Sequence, residues 1–337
     1  MIGRDLGRER ETGEDIKSGS NRKYAGWGWL DHIFLIHPVD FSARNTISFH
    51  AFPGLDNAFI SIQLSTSMIQ HSIDWPKLEI SDPRWERDGL RFLTVKTAHL
   101  QGRGDIVLFV PQLCGMKQVP IAILLHGIYG SSWAWAMKGA AHLTAARMIT
   151  TGEVPPMVLA MPSDGLWGDG TAYLAHTRAD YEAWIVADVP AAVQRVVPET
   201  HGGPLFLAGL SMGGYGALRL GAKHGRDQFA AISAHSPGTS LDDLFEFVTE
   251  SREDYAGVIG SQSVLDQIFA DRNHLPPLRF DCGSEDVLLE KSRSLSKSLH
   301  AIRIPHTYDE FPGGHTWDYW REHLADSLRF FAATTGK

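Results

Sequence analysis

The sequence has little that would cross-link it or hold it in a membrane. It contains two cysteines, Cys114 and Cys282, in 337 residues. Two cannot build a disulfide framework, and with no C-x-x-C spacing they form neither a zinc site nor a redox pair. Cys282, at the end of a predicted strand, is read as a small buried hydrophobe. No apolar run reaches the roughly eighteen residues of a membrane-spanning helix. There is no lysine/arginine run, and 31 basic residues stand against 39 acidic ones for a formal net charge of −8. That balance argues against a nucleic-acid partner. Internal repeats and low-complexity tracts are absent. The first 23 residues lack the apolar stretch of a signal peptide, so the chain as written is expected to be cytoplasmic.

What is present suits a large globular core, since 43% of residues are hydrophobic. Residues 1–23 are polar, charged and aperiodic, which predicts a disordered tail. Residues 24–85 are rich in aromatics, with short strands expected at 45–51 and 57–65. They read as a packing extension, as a cap over an active site, or as residues ahead of the true start. From about residue 86 to 337 the pattern sharpens into one catalytic domain. Alternating runs at 89–98 and 104–110 predict an antiparallel edge. Continuous apolar runs at 120–125 and 156–161, with further strands at 204–209, 229–234, 277–282 and 306–311, predict a sheet. Helical patterns fall at 134–150, 181–197 (kinked at Pro190), 212–224, 288–300 and 317–333. The alternation implies an α/β fold: a mostly parallel central sheet with helices on both faces. Residues 237–275 form a short insertion after strand 229–234, where insertions shape ligand pockets.

Within this frame, Gly209-Leu210-Ser211-Met212-Gly213 matches G-x-S-x-G. A strand turning sharply into a helix exposes the serine hydroxyl, and side chains two positions either side would crowd the turn. Ser211 is therefore the candidate nucleophile. The new helix aims its first amides at developing negative charge, which makes the Met212 N–H an oxyanion donor. A serine nucleophile needs a base and a group to orient it, in the chain order Ser, acid, His. The acid lies in Asp281-Cys282-Gly283-Ser284-Glu285-Asp286. Asp281 falls inside the strand and reads as structural; loop position favours Asp286, with Glu285 as its rival. Of 16 histidines, only His315 combines late position, a loop and flanking glycines. The second oxyanion amide is expected from Gly127–Ile128, most simply Ile128, with His126 bracing that loop.

Four segments, LLHGIYG at 124–130, GLSMGGYGAL at 209–218, DCGSED at 281–286 and GGHTWDYW at 313–320, together resemble the putative-esterase family of α/β-hydrolases. That family includes esterase D (S-formylglutathione hydrolase), feruloyl and acetylxylan esterases, enterochelin esterases and mycolyltransferases. The resemblance covers about residues 86–337. It implies the α/β-hydrolase fold, Ser211 as nucleophile, Asp286 as triad acid, His315 as base, and Ile128 and Met212 as oxyanion donors. It also implies serine carboxylic-ester hydrolysis that needs no metal or organic cofactor.

The expected partner is a small-molecule or carbohydrate-linked ester. The short insertion favours short acyl or aryl esters, of acetyl or feruloyl type. Aromatics crowd the predicted site loops: Tyr129, Trp133, Trp135, Trp167, Tyr173, Trp317, Tyr319 and Trp320. Of these Tyr129, Trp133 and Trp317 are the expected substrate contacts, and Asp164 and Asp169 are candidates for binding substrate hydroxyls. Competing readings are an acyltransferase on the same triad, an S-formylglutathione-type thioesterase, and a non-catalytic binding module.

Overall fold

The computed structural model describes residues 77–255, 257 and 262–335. The tail expected at 1–23 and the strands expected at 45–51 and 57–65 lie outside the described residues, as does most of the extension expected at 24–85. Among the described residues, nine strands form one sheet: β1 (Leu78–Ile80), β2 (Leu90–Thr97), β3 (Gly102–Phe109), β4 (Ile121–Leu125), β5 (Val158–Pro162), β6 (Leu205–Leu210), β7 (Ala231–His235), β8 (Leu278–Gly283) and β9 (Thr307–Phe311). Their order is β1-β2-β3-β5-β4-β6-β7-β8-β9. The pairs from β1 to β3 and between β3 and β5 are antiparallel; all others are parallel. The sheet begins before residue 86, because β1 pairs with β2 through Leu78 and Val95.

Every residue of β4 is buried, as it must be in a strand covered on both faces. Its side chains alternate between two cores. Ile121, Ile123 and Leu125 face one with the helices α4 (Val189–Val196), α5 (Met212–Gln228), α7 (Val264–Ala270) and α8 (Leu289–Ala301). Ala122 and Leu124 face the other with α1 (Ala134–Met137), α2 (Ala141–Thr150) and α9 (Trp317–Thr335). The remaining short helices are α3 (Tyr181–Ala183) and α6 (Leu241–Leu244). Each fully buried Leu, Ile or Phe contributes about 1.5–3 kcal/mol against exposure, so the two cores dominate the folding energy.

Two helical expectations need correction. The helix expected at 134–150 is two helices, broken where Ala140 adopts φ 49° and Gly139 packs against Trp135 and Trp317. Periodicity alone does not register such a break, because the apolar pattern runs through it. The helix expected at 181–197 contains a π turn over Trp184–Asp188, directly before Pro190 in the first turn of α4. Proline cannot donate its missing N–H, and the widened turn takes up the mismatch.

Candidate active site

Residue 211 is where β6 becomes α5, and the backbone is strained there. Ser211 has φ 55° and ψ −119°, a conformation that L residues seldom adopt. Neighbouring backbone pins it. Its N–H donates to the His235 carbonyl at 3.0 Å, and its carbonyl accepts from Tyr215 N–H at 3.0 Å and Gly238 N–H at 3.2 Å. Both glycines of the motif are sterically required. A Cβ on Gly209 would lie 2.1 Å from the Gly213 carbonyl oxygen, and one on Gly213 would lie 2.3 Å from that of Leu125.

Three segments far apart in sequence meet at the hydroxyl. His315 Nε2 lies 3.0 Å from Ser211 Oγ, and His315 Nδ1 lies 3.0 Å from both carboxylate oxygens of Asp286. The loop after β9 is clipped to the loop after β8 by Ser284 N–H on the Phe311 carbonyl and Glu285 N–H on the Gly313 carbonyl, both at 2.8 Å. Asp286 is buried, with Leu288 N–H on Oδ1 at 2.8 Å, whereas the Glu285 side chain points to solvent. Asp281 belongs to a buried network behind the site. It meets His235 at 2.9 Å, Arg279 at 2.8 Å and the Tyr319 hydroxyl at 2.9 Å. Cys282 is fully buried, and burial pushes its thiol up to about 12, which keeps it un-ionised at neutral pH.

Ile128 and Met212, whose backbone N–H groups are the expected oxyanion donors, both line the cavity at Ser211. Among the described residues neither donates to a protein acceptor. The Ile128 loop is held from beneath. His126 Nδ1 donates to the Gly127 carbonyl at 2.7 Å, its Nε2 accepts from Asp164 N–H at 3.1 Å, and the Tyr173 hydroxyl donates to the His126 carbonyl at 2.9 Å. Tyr129 N–H donates to the Asp169 carbonyl at 2.9 Å.

The cavity has a volume of about 360 Å³. Tyr129, Trp133, Trp317 and Trp320 all line it. The other four aromatics of the site loops do not. Trp135 and Tyr173 are core, Tyr319 is tied to Asp281, and Trp167 packs edge-on against His176 and Tyr255. Asp164 and Asp169 are also corrected. Asp164 is buried and caps its own loop through Leu166 N–H and Thr171 N–H, and Asp169 accepts from Thr249. The insertion supplies Gly238, Asp243, Leu244 and Phe247 to the wall, and the Phe247 carbonyl accepts the Tyr129 hydroxyl. Lys138 completes the lining from the end of α1. No short motif marks these residues; only the tertiary fold brings them to the cavity.

Burial pushes the Asp286 carboxyl upward, but the His315 contact, the Leu288 N–H and the Ser236 hydroxyl outweigh it and hold it below the ordinary carboxylate range. Ser236 is fully buried with φ 46°, and it also accepts the Trp320 indole N–H at 3.2 Å. Trp320 in turn stands edge-on to His315, 4.9 Å between ring centroids. Ser236 thus fixes the carboxylate and the wall behind the imidazole together. Ser236→Ala is expected to lower the kcat for ester hydrolysis about ten-fold with little change in KM. A hydrogen bond to a charged group is worth about 1.5–3 kcal/mol, part of which is already present in the ground state. Steady-state kinetics beside a thermal melt checks this, and an unchanged kcat would remove Ser236 from the positioning of Asp286.

Residues 97–331 match the family model described as "Putative esterase". The chain belongs to the putative-esterase family. An acetyl esterase of Caldicellulosiruptor saccharolyticus is 26% identical over 230 residues, covering 62% of this chain and 82% of that protein. Among solved structures, a ferulic acid esterase superposes with a TM-score of 0.61 at 23% identity, over 78% of this chain and 99% of that one. An S-formylglutathione hydrolase from Staphylococcus aureus superposes at 0.59 and 18% identity, over 75% and 99%. These neighbours share the α/β-hydrolase fold. This esterase-family protein is a carboxylic ester hydrolase with a mostly parallel sheet. No helix among the described residues is long and apolar enough to cross a membrane.

Proposed function

We propose that the esterase hydrolyses short acyl or aryl esters through an acyl-enzyme on Ser211. One observation carries the reading: a continuous relay from Asp286 through both ring nitrogens of His315 to Ser211 Oγ, each step at 3.0 Å. Asp286 accepts a hydrogen bond from Nδ1–H of His315, which keeps that proton on Nδ1 and leaves Nε2 free to take the proton of Ser211. Oγ attacks the ester carbonyl, and the tetrahedral oxyanion accepts from the two unpartnered amides of Ile128 and Met212. The carbon–oxygen bond to the alcohol then breaks, and the His315 imidazolium protonates the leaving oxygen. Water repeats the sequence on the acyl-enzyme, releases the acid and restores Ser211.

Cavity size and lining support the substrate class. A volume of about 360 Å³ is at the low end for ligand sites, and its walls are chiefly apolar and aromatic. An acetyl or aryl acyl group fits such a space, and its aromatic walls suit a flat ring. The acetyl esterase relative and the ferulic acid esterase fold neighbour point the same way.

The test is a para-nitrophenyl ester series from acetate to decanoate, with a ferulate ester beside it. The expected kcat/KM is highest for acetate and butyrate and falls steadily with chain length. A fluorophosphonate should stop turnover and add its mass to the Ser211 peptide alone. Preference for decanoate would overturn the substrate class, and labelling elsewhere would overturn the nucleophile.

A further inference from the structure

Among the described residues, the cavity beside Ser211 holds one charge that no carboxylate answers. Besides His315, its lining carries two charged side chains, Asp243 and Lys138. Asp243 is fully committed. Oδ1 pairs with Lys291 Nζ at 2.9 Å, while Oδ2 accepts from Thr239 N–H at 2.7 Å, the Thr239 hydroxyl at 2.9 Å and Ser240 N–H at 3.0 Å. Lys138 pairs with no carboxylate among the described residues; its ammonium lies 5.4 Å from the centroid of the Trp317 ring.

That position is built by packing. The Trp317 ring stands edge-on to Trp135 at 5.7 Å and to Trp320 at 5.3 Å, which makes it a fixed platform. The end of α1 reaches this platform because residue 139 is glycine. A Cβ there would lie 3.0 Å from the Trp317 ring and 2.9 Å from the Trp135 carbonyl oxygen. Lys138, one residue earlier, is thereby held over Trp317, which is itself two residues from His315. In the mechanism proposed above, His315 delivers its proton to the departing alcohol, so the alcohol lies on the His315 side of the scissile bond.

We propose that Lys138 selects esters whose leaving alcohol or phenol carries a carboxylate. This rests on the acyl-enzyme reading of the site and adds to it the chemistry of the leaving group. The selectivity has to come from local contact. With a net charge of −8, the protein as a whole repels anions. The ammonium is exposed, so the effect is a few-fold and sensitive to salt.

The experiment compares meta-carboxy-para-nitrophenyl acetate with its neutral carboxamide counterpart, in wild type and in Lys138→Met, Lys138→Glu and Lys138→Arg. The quantity read is the ratio of kcat/KM for the two esters within each protein. At low ionic strength the ratio should fall about five-fold in Lys138→Met. It should fall further in Lys138→Glu and return in Lys138→Arg. Raising salt should shrink the wild-type ratio and leave that of Lys138→Met nearly flat. A second arm compares the para-nitrophenyl monoester of adipic acid with para-nitrophenyl hexanoate, placing the carboxylate on the acyl side. A ratio that does not depend on residue 138 overturns the proposal, and dependence confined to the acyl arm overturns it as well. If Ser211→Ala hydrolyses the neutral ester as wild type does, the reading of the site itself fails. If Ser211 is required and the ratios are flat, only the role of Lys138 fails.

Discussion

Ser211→Ala is expected to lower kcat for para-nitrophenyl acetate by about 10⁶-fold while KM moves little, a loss of about 8 kcal/mol of transition-state stabilisation. The substitution removes Oγ and with it the only atom at which the relay from Asp286 through His315 ends. The Ile128 and Met212 amides proposed as oxyanion donors and the cavity remain, so a residual rate about 10³–10⁴ above water should persist. The fold should survive, because the Ser211 N–H and carbonyl are held by His235, Tyr215 and Gly238 without help from the side chain. Alanine keeps the strained φ of 55°, whereas glycine relieves it. Ser211→Gly should therefore be as inactive as Ser211→Ala yet more stable by about 1 kcal/mol. Kinetics with purified variants and paired thermal melts check both halves. Activity within ten-fold of wild type in Ser211→Ala would mean that another group attacks the ester.

The elbow is legible in the sequence because its constraints are local. Strand, turn, serine and both obligatory glycines fall within a few residues, and the collisions that a Cβ would meet at Gly209 and Gly213 are with backbone of that same turn or of β4 beside it. The sheet is legible for a similar reason: strands buried on both faces read as continuous apolar runs, as β4 to β6 do. Local reading favours Asp286 over Glu285 by loop position alone and leaves Glu285 as a rival. Adjacent residues in a loop point opposite ways, and what decides is which one the Gly313–His315 loop covers. The pocket wall was less legible still. Asp243, Leu244 and Phe247 come from the insertion and Lys138 from a helix break, and neither reaches the cavity by any local pattern. Aromatic content misled in part, since a tryptophan such as Trp135 looks the same in sequence whether it meets substrate or donates to the Leu125 carbonyl inside the core.

Asp286→Asn tests the other end of the relay, and its expected cost is about 10⁴-fold in kcat, or about 5.5 kcal/mol. The reason lies in what surrounds the carboxylate. Leu288 N–H donates to Oδ1, so an asparagine keeps its amide oxygen there and turns its NH₂ toward His315. The imidazole must then accept at Nδ1 and carry its proton on Nε2, where it can no longer take the proton of Ser211. The same substitution has a stability signature of definite sign. The carboxyl is held below its ordinary range, so its folded-state value lies below its unfolded one. Its ionised form therefore stabilises the fold at pH values above the ordinary aspartate range near about 3.9, and that contribution drains as pH falls through the depressed value. Asp286→Asn lacks this term. The stability gap between wild type and variant should be widest near neutral pH and should close toward acid, which melts across that range would reveal. Glu285→Gln is the matched control, because its side chain faces solvent. It should keep kcat within about two-fold, as surface changes usually do. If Glu285→Gln were silent and Asp286→Asn active, the acid of the relay would be Glu285, and the loop after β8 would have to rearrange on substrate binding to bring it to His315.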